Sequence, residues 1–465
     1  MYRLTWIFFL CLAITGCEKS SSTKSYLPQD KYIQAYFNHR ETGKQTYTDP
    51  YRQIERGGDN LEAIIIEAIA TAKLTIDLAV QEINLPLIAQ ALTKAHDSGV
   101  KVRVILDNNY SRPLSSFNPQ EVERLQQYDR AKYDEFLALA DLDSNGRLDA
   151  KEISTRDALI ILQNAGIPVI NDTADGSKGS GLMHHKFMVI DGKTIITGST
   201  NFTLSGIHGD FHNLETRGNV NHLLRIENPA VANLFTQEFD YMWGNNQAGG
   251  NNSKFGLSKP RRSPQSISWN NSKITVHFAP FSRAESWHSS TNGLISRTID
   301  NAKNSINLAL FVFSEQLISD RLQQKQKEGI IIKGVFDRGF AFRYYSEVLD
   351  LLGTAVYRNC QPESENNPWT QPLDTAGVAD IPRGDKLHHK FASIDGHTVI
   401  TGSQNWSQAA NHINDESLLI IENPILTQHF NREFQRLFKA AIPGIPAKIA
   451  TEVKQQQQKC LDILN

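Results

Sequence analysis

Residues 184–201 read HHKFMVIDGKTIITGSTN, and residues 388–405 read HHKFASIDGHTVITGSQN. In each copy a β-rich apolar run reaches Asp-Gly, a strong signal for a two-residue hairpin turn, and a second β-rich run returns to Gly-Ser. Because side chains alternate along a strand, His184 and Lys186 lie on one face and His185 lies on the other. The two copies therefore predict two equivalent hairpins with polar ends.

An imidazole, an ammonium group and an amide on one side of a hairpin form a suitable pocket for an anion such as phosphate. These groups come from His184, Lys186 and Asn201 in the first copy and from His388, Lys390 and Asn405 in the second. If the halves face each other across a pseudo-two-fold axis, one histidine attacks phosphorus and the other protonates the leaving oxygen. A duplicated structural hairpin is the alternative, but it does not explain the identical spacing of every polar position.

Both copies resemble the signature of the phospholipase D superfamily, which is His-x-Lys, four residues, Asp, six residues, Gly-Ser-x-Asn. The resemblance implies phosphodiester cleavage without a catalytic cofactor, through a phosphohistidine. The two histidines would be nucleophile and acid, and the motif lysines and asparagines would hold phosphate oxygens. The motif also brings Asp191 and Asp395 into the candidate catalytic set, although their role in the superfamily is usually structural. Ser199 and Ser403 become candidate substrate-binding residues.

The two halves differ at one position that matters for this chemistry. Aligning residues 223–229 with residues 418–424 places Glu416 opposite Asn221. In the superfamily an acidic residue after the Gly-Ser-x-Asn segment orients the motif histidine, so the resemblance assigns Glu416 to His388. A carboxylate stabilises an imidazolium and an amide brings no charge, so we expect His388 to be the nucleophile. The alternative is that Glu416 lies on the surface.

The apolar spacing around the hairpins predicts an α/β fold. The first half has a helical pattern at 60–69 and strand patterns at 74–80 and 100–106. The second half repeats the order with a helix at 294–302, a strand at 306–313, a helix at 315–328 and a strand at 330–336. Strands that alternate with helices favour mixed sheets covered on their faces. We therefore predict two similar phospholipase D-type α/β sandwich domains.

The N-terminus predicts export. Residues 4–13 are almost entirely apolar but fall well short of the ~20 residues that span a bilayer, which is typical of a signal peptide. Small residues directly before Cys17 resemble a bacterial lipoprotein processing site. This resemblance implies lipidation of Cys17 and anchoring to a membrane on the extracytoplasmic side of the bacterial envelope. An ordinary secretory signal with an incidental cysteine is the alternative.

These patterns divide the chain into segments. The predicted segments are a signal peptide with the lipidated cysteine at 1–17, a tether at 18–30, a first domain at 31–244, a linker at 245–270, a second domain at 271–440 and a tail at 441–465. Removal of the signal peptide and acylation of Cys17 would leave Cys360 and Cys460 as thiols. An oxidising compartment allows a disulfide between them, and two isolated thiols are the alternative.

An insertion at 133–164 carries a stretch that resembles an EF-hand calcium loop and has no counterpart in the second half. Its oxygen ligands would be Asp141, Asp143, Asn145, the Arg147 carbonyl, Asp149 and Glu152, with Gly146 at the sharp turn. Apolar spacing predicts helices at 133–140 and 153–164. We expect Ca²⁺ to stabilise this insertion and to take no part in catalysis. An acidic surface turn is the alternative.

Three functions remain compatible with the sequence. The first is a phospholipase D-like enzyme that cleaves membrane phospholipids or transfers the phosphatidyl group to an alcohol. It is favoured because acyl chains would hold the enzyme at a bilayer, where phospholipid is the most concentrated phosphodiester. The second is an exported nuclease, but the net charge of -2 gives no general reason to expect nucleic acid. The third is a calcium-regulated, non-catalytic binding protein of the envelope. Both motifs lie in one chain, so no oligomer is required.

Overall fold

The computed structural model describes residues 26–41, 46–355, 357, 359–361 and 365–464. The predicted signal peptide, Cys17 and most of the predicted tether lie outside the described residues. Among the helices in these ranges, none combines the length and the apolar character needed to cross a bilayer.

The first half is built on a seven-stranded mixed sheet. Its strands are β1 Ile33–Phe37, β4 Thr75–Val80, β5 Lys101–Leu106, β6 Val169–Asn171, β7 Lys186–Ile190, β8 Thr194–Gly198 and β9 His222–Glu227. Their order is β1-β9-β8-β7-β4-β5-β6. The central strand β4 pairs in parallel with β5 and antiparallel with β7. Two short strands, β2 Thr46–Thr48 and β3 Glu55–Gly57, form a separate ribbon.

The second half repeats this sheet and extends it to nine strands. Its strands are β10 Gln265–Trp269, β11 Ser272–Ala279, β12 Ser305–Leu310, β14 Ile331–Phe336, β15 Ala376–Val378, β16 Lys390–Ile394, β17 Thr398–Gly402, β19 Glu416–Glu422 and β20 Ile442–Pro443. Their order is β10-β11-β19-β17-β16-β12-β14-β15-β20. The seven strands from β11 to β15 follow the same order as the first sheet. The predicted α/β fold class with two mixed sheets is confirmed.

Helices cover both sheets. They are α1 Leu61–Ala70, α2 Pro86–Asp97, α3 Pro119–Arg124, α4 Gln127–Ala140, α5 Ala150–Arg156, α6 Ala158–Asn164, α7 Leu204–Ile207, α8 Pro229–Trp243, α9 Thr291–Asp300, α10 Gln316–Lys327, α11 Glu347–Leu351, α12 Gln408–His412, α13 Pro424–Ala440 and α14 Ala447–Leu464. The equivalent helices α8 and α13 both begin with Asn-Pro, and the side chains of Asn228 and Asn423 cap them.

One apolar core joins the two halves. Phe187 and Phe235 from the first half and Phe391 and Phe430 from the second belong to the same buried cluster. Full burial of such a side chain stabilises the fold by about 1.5–3 kcal/mol. Separating the halves would expose these rings, so the shared core fixes the halves relative to each other.

Two predicted elements differ from the structure. The strand predicted at 306–313 ends at Leu310, and a separate short strand, β13 Phe313–Ser314, pairs with β18 Trp406–Ser407. The helix predicted at 153–164 is broken at Asp157. The buried carboxylate of Asp157 accepts hydrogen bonds from the backbone of residues 159 and 160 and so starts a new helix, α6.

The connector between the halves is more ordered than the predicted linker at 245–270. It contains β10, and the buried ammonium of Lys259 lies 2.5 Å from Glu238 of the first half and 2.6 Å from Asp415 of the second. Arg262 also pairs with Glu238. Lys259 and Arg262 of the predicted linker therefore belong to an ion network that connects the two halves.

Cys360 and Cys460 form a disulfide with their Cα atoms 5.1 Å apart. This decides between the two alternatives left open by the sequence. The bond ties the C-terminal helix α14, part of the predicted tail, to the second half.

Asp191 and Asp395 lie at the hairpin turns, where φ is +51° and +53°. The carboxylate of Asp191 accepts hydrogen bonds from the backbone N–H groups of residues 73, 74 and 75 at the start of β4. The carboxylate of Asp395 does the same for residues 303, 304 and 305 at the start of β12. Both lie at the far ends of β7 and β16 from His184 and His388. Their inclusion in the candidate catalytic set is therefore wrong, and their role is structural.

We expect Asp191→Ala and Asp395→Ala each to lower the free energy of unfolding by roughly 1 kcal/mol and to leave turnover per folded molecule unchanged. Burial raises the pKa of both carboxyls, but the backbone donors lower it by more. Their stabilising effect should thus be complete above about pH 5 and be lost as the pH falls through the folded-state pKa. Urea unfolding at several pH values checks this. Asp191→Asn, which keeps an acceptor oxygen, is the control, and lost turnover with unchanged stability would contradict the structural role.

Candidate active site

The ends of the two hairpins meet at one cleft of about 680 Å³. His184, Asn201, His388 and Asn405 line it. Lys186 and Lys390 lie behind them and are almost completely buried. The ammonium of Lys186 donates to the His184 carbonyl at 2.8 Å, and that of Lys390 donates to the His388 carbonyl at 2.9 Å. The structure thus brings the six candidate phosphate-site residues together from both halves.

Reciprocal backbone contacts hold the two motifs against each other. The His184 N–H donates to the Asp415 carbonyl at 3.0 Å, and the His388 N–H donates to the Val220 carbonyl at 3.0 Å. Each motif histidine therefore enters the cleft from a segment that is bridged to the opposite half.

Two aspartates accept hydrogen bonds from the backbone of these segments. Asp107 follows β5, and its carboxylate accepts the N–H of Met183 at 2.9 Å. Asp337 follows β14 and accepts the N–H of Leu387 at 3.0 Å. The sequence showed both aspartates at strand ends but gave no sign of this contact. Each one fixes the residue directly before a motif histidine.

Glu416 is the partner of His184. Its Oε2 lies 2.8 Å from His184 Nδ1 and accepts a 2.6 Å hydrogen bond from the Ser403 hydroxyl. The predicted pairing of Glu416 with His388 is wrong. Glu416 begins β19 directly after Asp415, whose backbone is bridged to Met183 and His184, so it contacts the histidine of the opposite half.

Asn221 takes the equivalent position beside His388. Its Oδ1 lies 3.0 Å from His388 Nδ1 and accepts from the Ser199 hydroxyl at 2.7 Å. Its Nδ2 donates to the Gly206 carbonyl, which fixes the orientation of the amide. His388 Nδ1 must therefore be the donor, so Nε2 of the neutral ring keeps its lone pair.

Ser199 and Ser403 do not line the cleft. Both are fully buried behind it, and their hydroxyls hold Asn221 and Glu416. The expectation that they bind substrate is wrong at the level of direct contact. They position the residues that orient the histidines.

The two sides of the cleft differ at a position that the sequence analysis missed. Gln81 follows β4, and its Oε1 lies 3.2 Å from both Lys186 Nζ and Asn201 Nδ2. The equivalent residue after β12 is Phe311, whose ring packs on His388 with centroids 4.7 Å apart. Aligning the ends of the two central strands would have revealed this pair. One histidine thus has a polar neighbourhood, and the other has an aromatic neighbour.

The cleft concentrates basic groups. Burial, reinforced by the neighbouring lysines, lowers the pKa of His184 and His388 well below the ordinary value. Burial also lowers the pKa of Lys186 to about 7 and that of Lys390 well below its usual range. Burial raises the pKa of Glu416 to about 7. An anion bound among these groups would favour their protonated forms, so the electrostatics suit a phosphate.

Acidic and aromatic residues also line the cleft. It carries Glu82, Asp134, Glu135 and Asp210. Burial, together with the charges of Asp210 and Glu82, raises the pKa of Glu135 to about 7. Phe340 also lines the cleft and packs on Phe311 with centroids 4.7 Å apart.

The EF-hand-like loop gathers part of its predicted ligand set. Carboxylate oxygens of Asp141, Asp143 and Glu152 lie within 4.8 Å of one another. The amide of Asn145 donates to Asp143, and Asp149 caps α5 by accepting the Glu152 N–H. Arg147 is exposed. Carboxylate oxygens are the type of ligand that a hard cation such as Ca²⁺ takes.

Comparison with known proteins identifies relatives of both halves. The family model described as "Cardiolipin synthase, PLD-like domain" matches residues 65–243 and 295–438, which include both hairpins. A mitochondrial cardiolipin hydrolase from Danio rerio is 27% identical over 147 residues, covering 31% of this chain and 55% of that protein. The human protein of the same name is 24% identical over 186 residues, covering 40% and 52%. The chain thus spans about half the length of these curated relatives.

Among solved structures, one that resembles most of the chain is a bacterial synthase. The phosphatidylserine synthase of Haemophilus influenzae Rd KW20 has a TM-score of 0.53 and 12% sequence identity, covering 94% of this chain and 95% of that one. At this identity the likeness shows a shared fold.

We expect Glu416→Gln to lower kcat on the order of 100-fold or more with little change in KM, because the carboxylate acts on His184 and does not touch the phosphate. Initial rates with bis(4-nitrophenyl) phosphate check this. Ser403→Ala, which removes only one hydrogen-bond partner of Glu416, should lower kcat much less. Near-normal kcat in a folded Glu416→Gln protein would show that the charge is not needed.

Proposed function

The chain belongs to the phospholipase D superfamily, and from this premise we propose that it cleaves the phosphodiester bond of a membrane phospholipid through a phosphohistidine intermediate. The observation that carries the proposal is the convergence of His184 and His388 in one cleft. Each has its Nδ1 hydrogen-bonded and its Nε2 available for chemistry.

The reaction proceeds in two steps. Nε2 of one histidine attacks phosphorus, and the other histidine protonates the departing alcohol oxygen as the P–O bond breaks. Water then attacks the phosphohistidine with the second histidine as base, which releases the phosphate monoester and the free nucleophile. An alcohol in place of water gives a new phosphodiester. The buried lysine ammonium groups and the two motif amides stabilise the negative charge on the phosphate oxygens.

His184 is the proposed nucleophile, which reverses the assignment expected from sequence. The support is its contact with Glu416, because a carboxylate stabilises the positive charge of a phosphorylated imidazole. His388 contacts a neutral amide, so its protonated form is a stronger acid than protonated His184. His388 therefore suits the role of protonating the leaving group.

A lipid substrate is favoured over nucleic acid by the composition of the cleft wall. A channel for a polyanion needs a continuous basic surface. Here four carboxylates share the wall with the lysines Lys132 and Lys386. The names of the cardiolipin hydrolase relatives point in the same direction. Acylation of Cys17, as expected from sequence, would hold the cleft near a bilayer.

The proposal is tested by incubating the purified protein separately with mixed phospholipid vesicles and with single-stranded DNA. We expect the lipid to be cleaved to phosphatidic acid and the free headgroup alcohol, and we expect the DNA to stay intact. His184→Ala and His388→Ala should each lower turnover by about 100- to 10,000-fold. DNA cleavage without lipid cleavage would support the nuclease alternative. No turnover of either substrate or of bis(4-nitrophenyl) phosphate would favour the non-catalytic alternative.

The nucleophile is identified by trapping. With bis(4-nitrophenyl) phosphate as the substrate, the leaving group 4-nitrophenolate departs without protonation, so the first step does not need His388. The second step does need His388 as a base, so the His388→Ala protein should accumulate the phosphorylated intermediate and hydrolyse it slowly. We expect an alkaline quench and peptide mass spectrometry to locate the phosphoryl group on His184, and His184→Ala to carry no label. A label on His388 in the unaltered protein would reverse the assignment.

We also propose that residues 141–152 bind Ca²⁺, supported by the three converging carboxylates. The ion would stabilise the insertion and would not enter the reaction. Calorimetric titration should show saturable binding with a dissociation constant of at most roughly 1 mM. Glu152→Gln should weaken it markedly, whereas Glu123→Gln on helix α3 should not. Absence of saturable heat at millimolar calcium would exclude the site.

A further inference from the structure

A second cavity of about 390 Å³ adjoins the catalytic cleft. The two share four lining residues, Glu82, Tyr110, Tyr128 and Lys132. Beyond this shared boundary five large apolar side chains form one side of the cavity, namely Leu114, Phe117, Leu125, Phe136 and Leu159. Polar side chains complete its lining, namely Asn84, Asn109, Arg112, Asp129 and Asp157. The cleft therefore continues from the candidate phosphate site into a chamber that has an apolar side.

The chamber is built by the part of the chain that distinguishes the first half. Its walls come mainly from the segment between β5 and β6, which runs from residue 107 to 168 and includes α3, α4 and α6. The equivalent segment between β14 and β15 runs only from 337 to 375. Helix α4 contributes to the chamber and to the catalytic cleft at the same time, through Tyr128 and Lys132.

The shared boundary is polar. The Lys132 ammonium lies 2.7 Å from a Glu82 oxygen, 4.0 Å from the Tyr110 ring centroid and 5.2 Å from that of Tyr128. The exposed Tyr128 ring also lies 5.7 Å from the ammonium of Lys386 in the second half. A chain that passes from the cleft into the chamber thus crosses a short polar and aromatic boundary.

We propose that the chamber binds one acyl chain of the phospholipid whose phosphate occupies the histidine site. The order of surfaces matches the order of groups in such a lipid: cationic for the phosphate, polar for the glycerol ester and apolar for the chain. This subsite rests on the proposed phospholipid-cleaving function. Burial of each methylene group favours binding roughly fourfold, so chain length becomes a determinant of specificity.

The kinetic test uses monoacyl phosphatidylglycerols with six- and ten-carbon chains below their critical micelle concentrations. For the unaltered protein kcat/KM should rise by more than about tenfold with the longer chain. Leu125→Trp, which fills the chamber from a position outside the main cores, should reduce this rise to about twofold or less. Leu317→Trp makes the same change at an exposed site on helix α10 of the second half and should retain the rise. Both variants should hydrolyse bis(4-nitrophenyl) phosphate normally.

An unchanged chain-length dependence in Leu125→Trp would overturn the subsite. A second measurement does not need turnover: a ten-carbon monoacyl phosphatidylglycerol with a terminal diazirine is photolysed on the protein, and the label is mapped. Label within residues 110–159 supports the subsite, and label elsewhere overturns it. If no lipid is cleaved while bis(4-nitrophenyl) phosphate is hydrolysed, the proposed function fails, and the label alone decides whether the chamber binds acyl chains.

Discussion

Each motif histidine is oriented by a side chain from the opposite half, and the geometry of the cleft depends on these two contacts between the halves. His184 needs Glu416, and His388 needs Asn221. A shift of the halves by an ångström would break both contacts and the backbone bridges beside them. The shared apolar core resists such a shift. So does Lys259, whose buried ammonium pairs with Asp415, the residue directly before Glu416.

Electrostatics explain why a duplicated motif does not give two equal halves. The lysines and histidines repeat, and burial lowers the pKa of all four. Their neighbours do not repeat. Gln81 in the first half is replaced by Phe311 in the second, and Asn221 in the first half is replaced by Glu416 in the second. Of His184 and His388, only His184 therefore has a carboxylate partner. In the proposed mechanism the shared groups bind the phosphate, and the unshared groups separate the roles of nucleophile and acid.

The segment between β5 and β6 is longer than its counterpart in the second half, and it lines part of this site without supplying any of the six motif residues. Its helix α4 supplies Tyr128 and Lys132 to the wall of the cleft and then leads directly into the acidic loop that starts at Asp141. An element that carries a candidate cation site is thus covalently continuous with the substrate wall. His184 and His388 lie two residues before strands β7 and β16, so in the proposed function substrate selection and bond cleavage depend on different parts of the fold.

The sequence by itself determined the hairpins, the repeated α/β order and the six phosphate-site residues, because each of these follows from local spacing that occurs twice. It also marked Asp107 and Asp337 as strand ends without indicating what they hold. Only the tertiary structure decided which histidine Glu416 contacts and that Ser199 and Ser403 lie behind the cleft. It also decided that Asp191 and Asp395 lie at the ends of the hairpins away from the cleft, and that Lys259 is buried. These contacts join segments from opposite halves or opposite ends of a strand. They are set by how the sheets pack, which residue spacing along the chain does not encode.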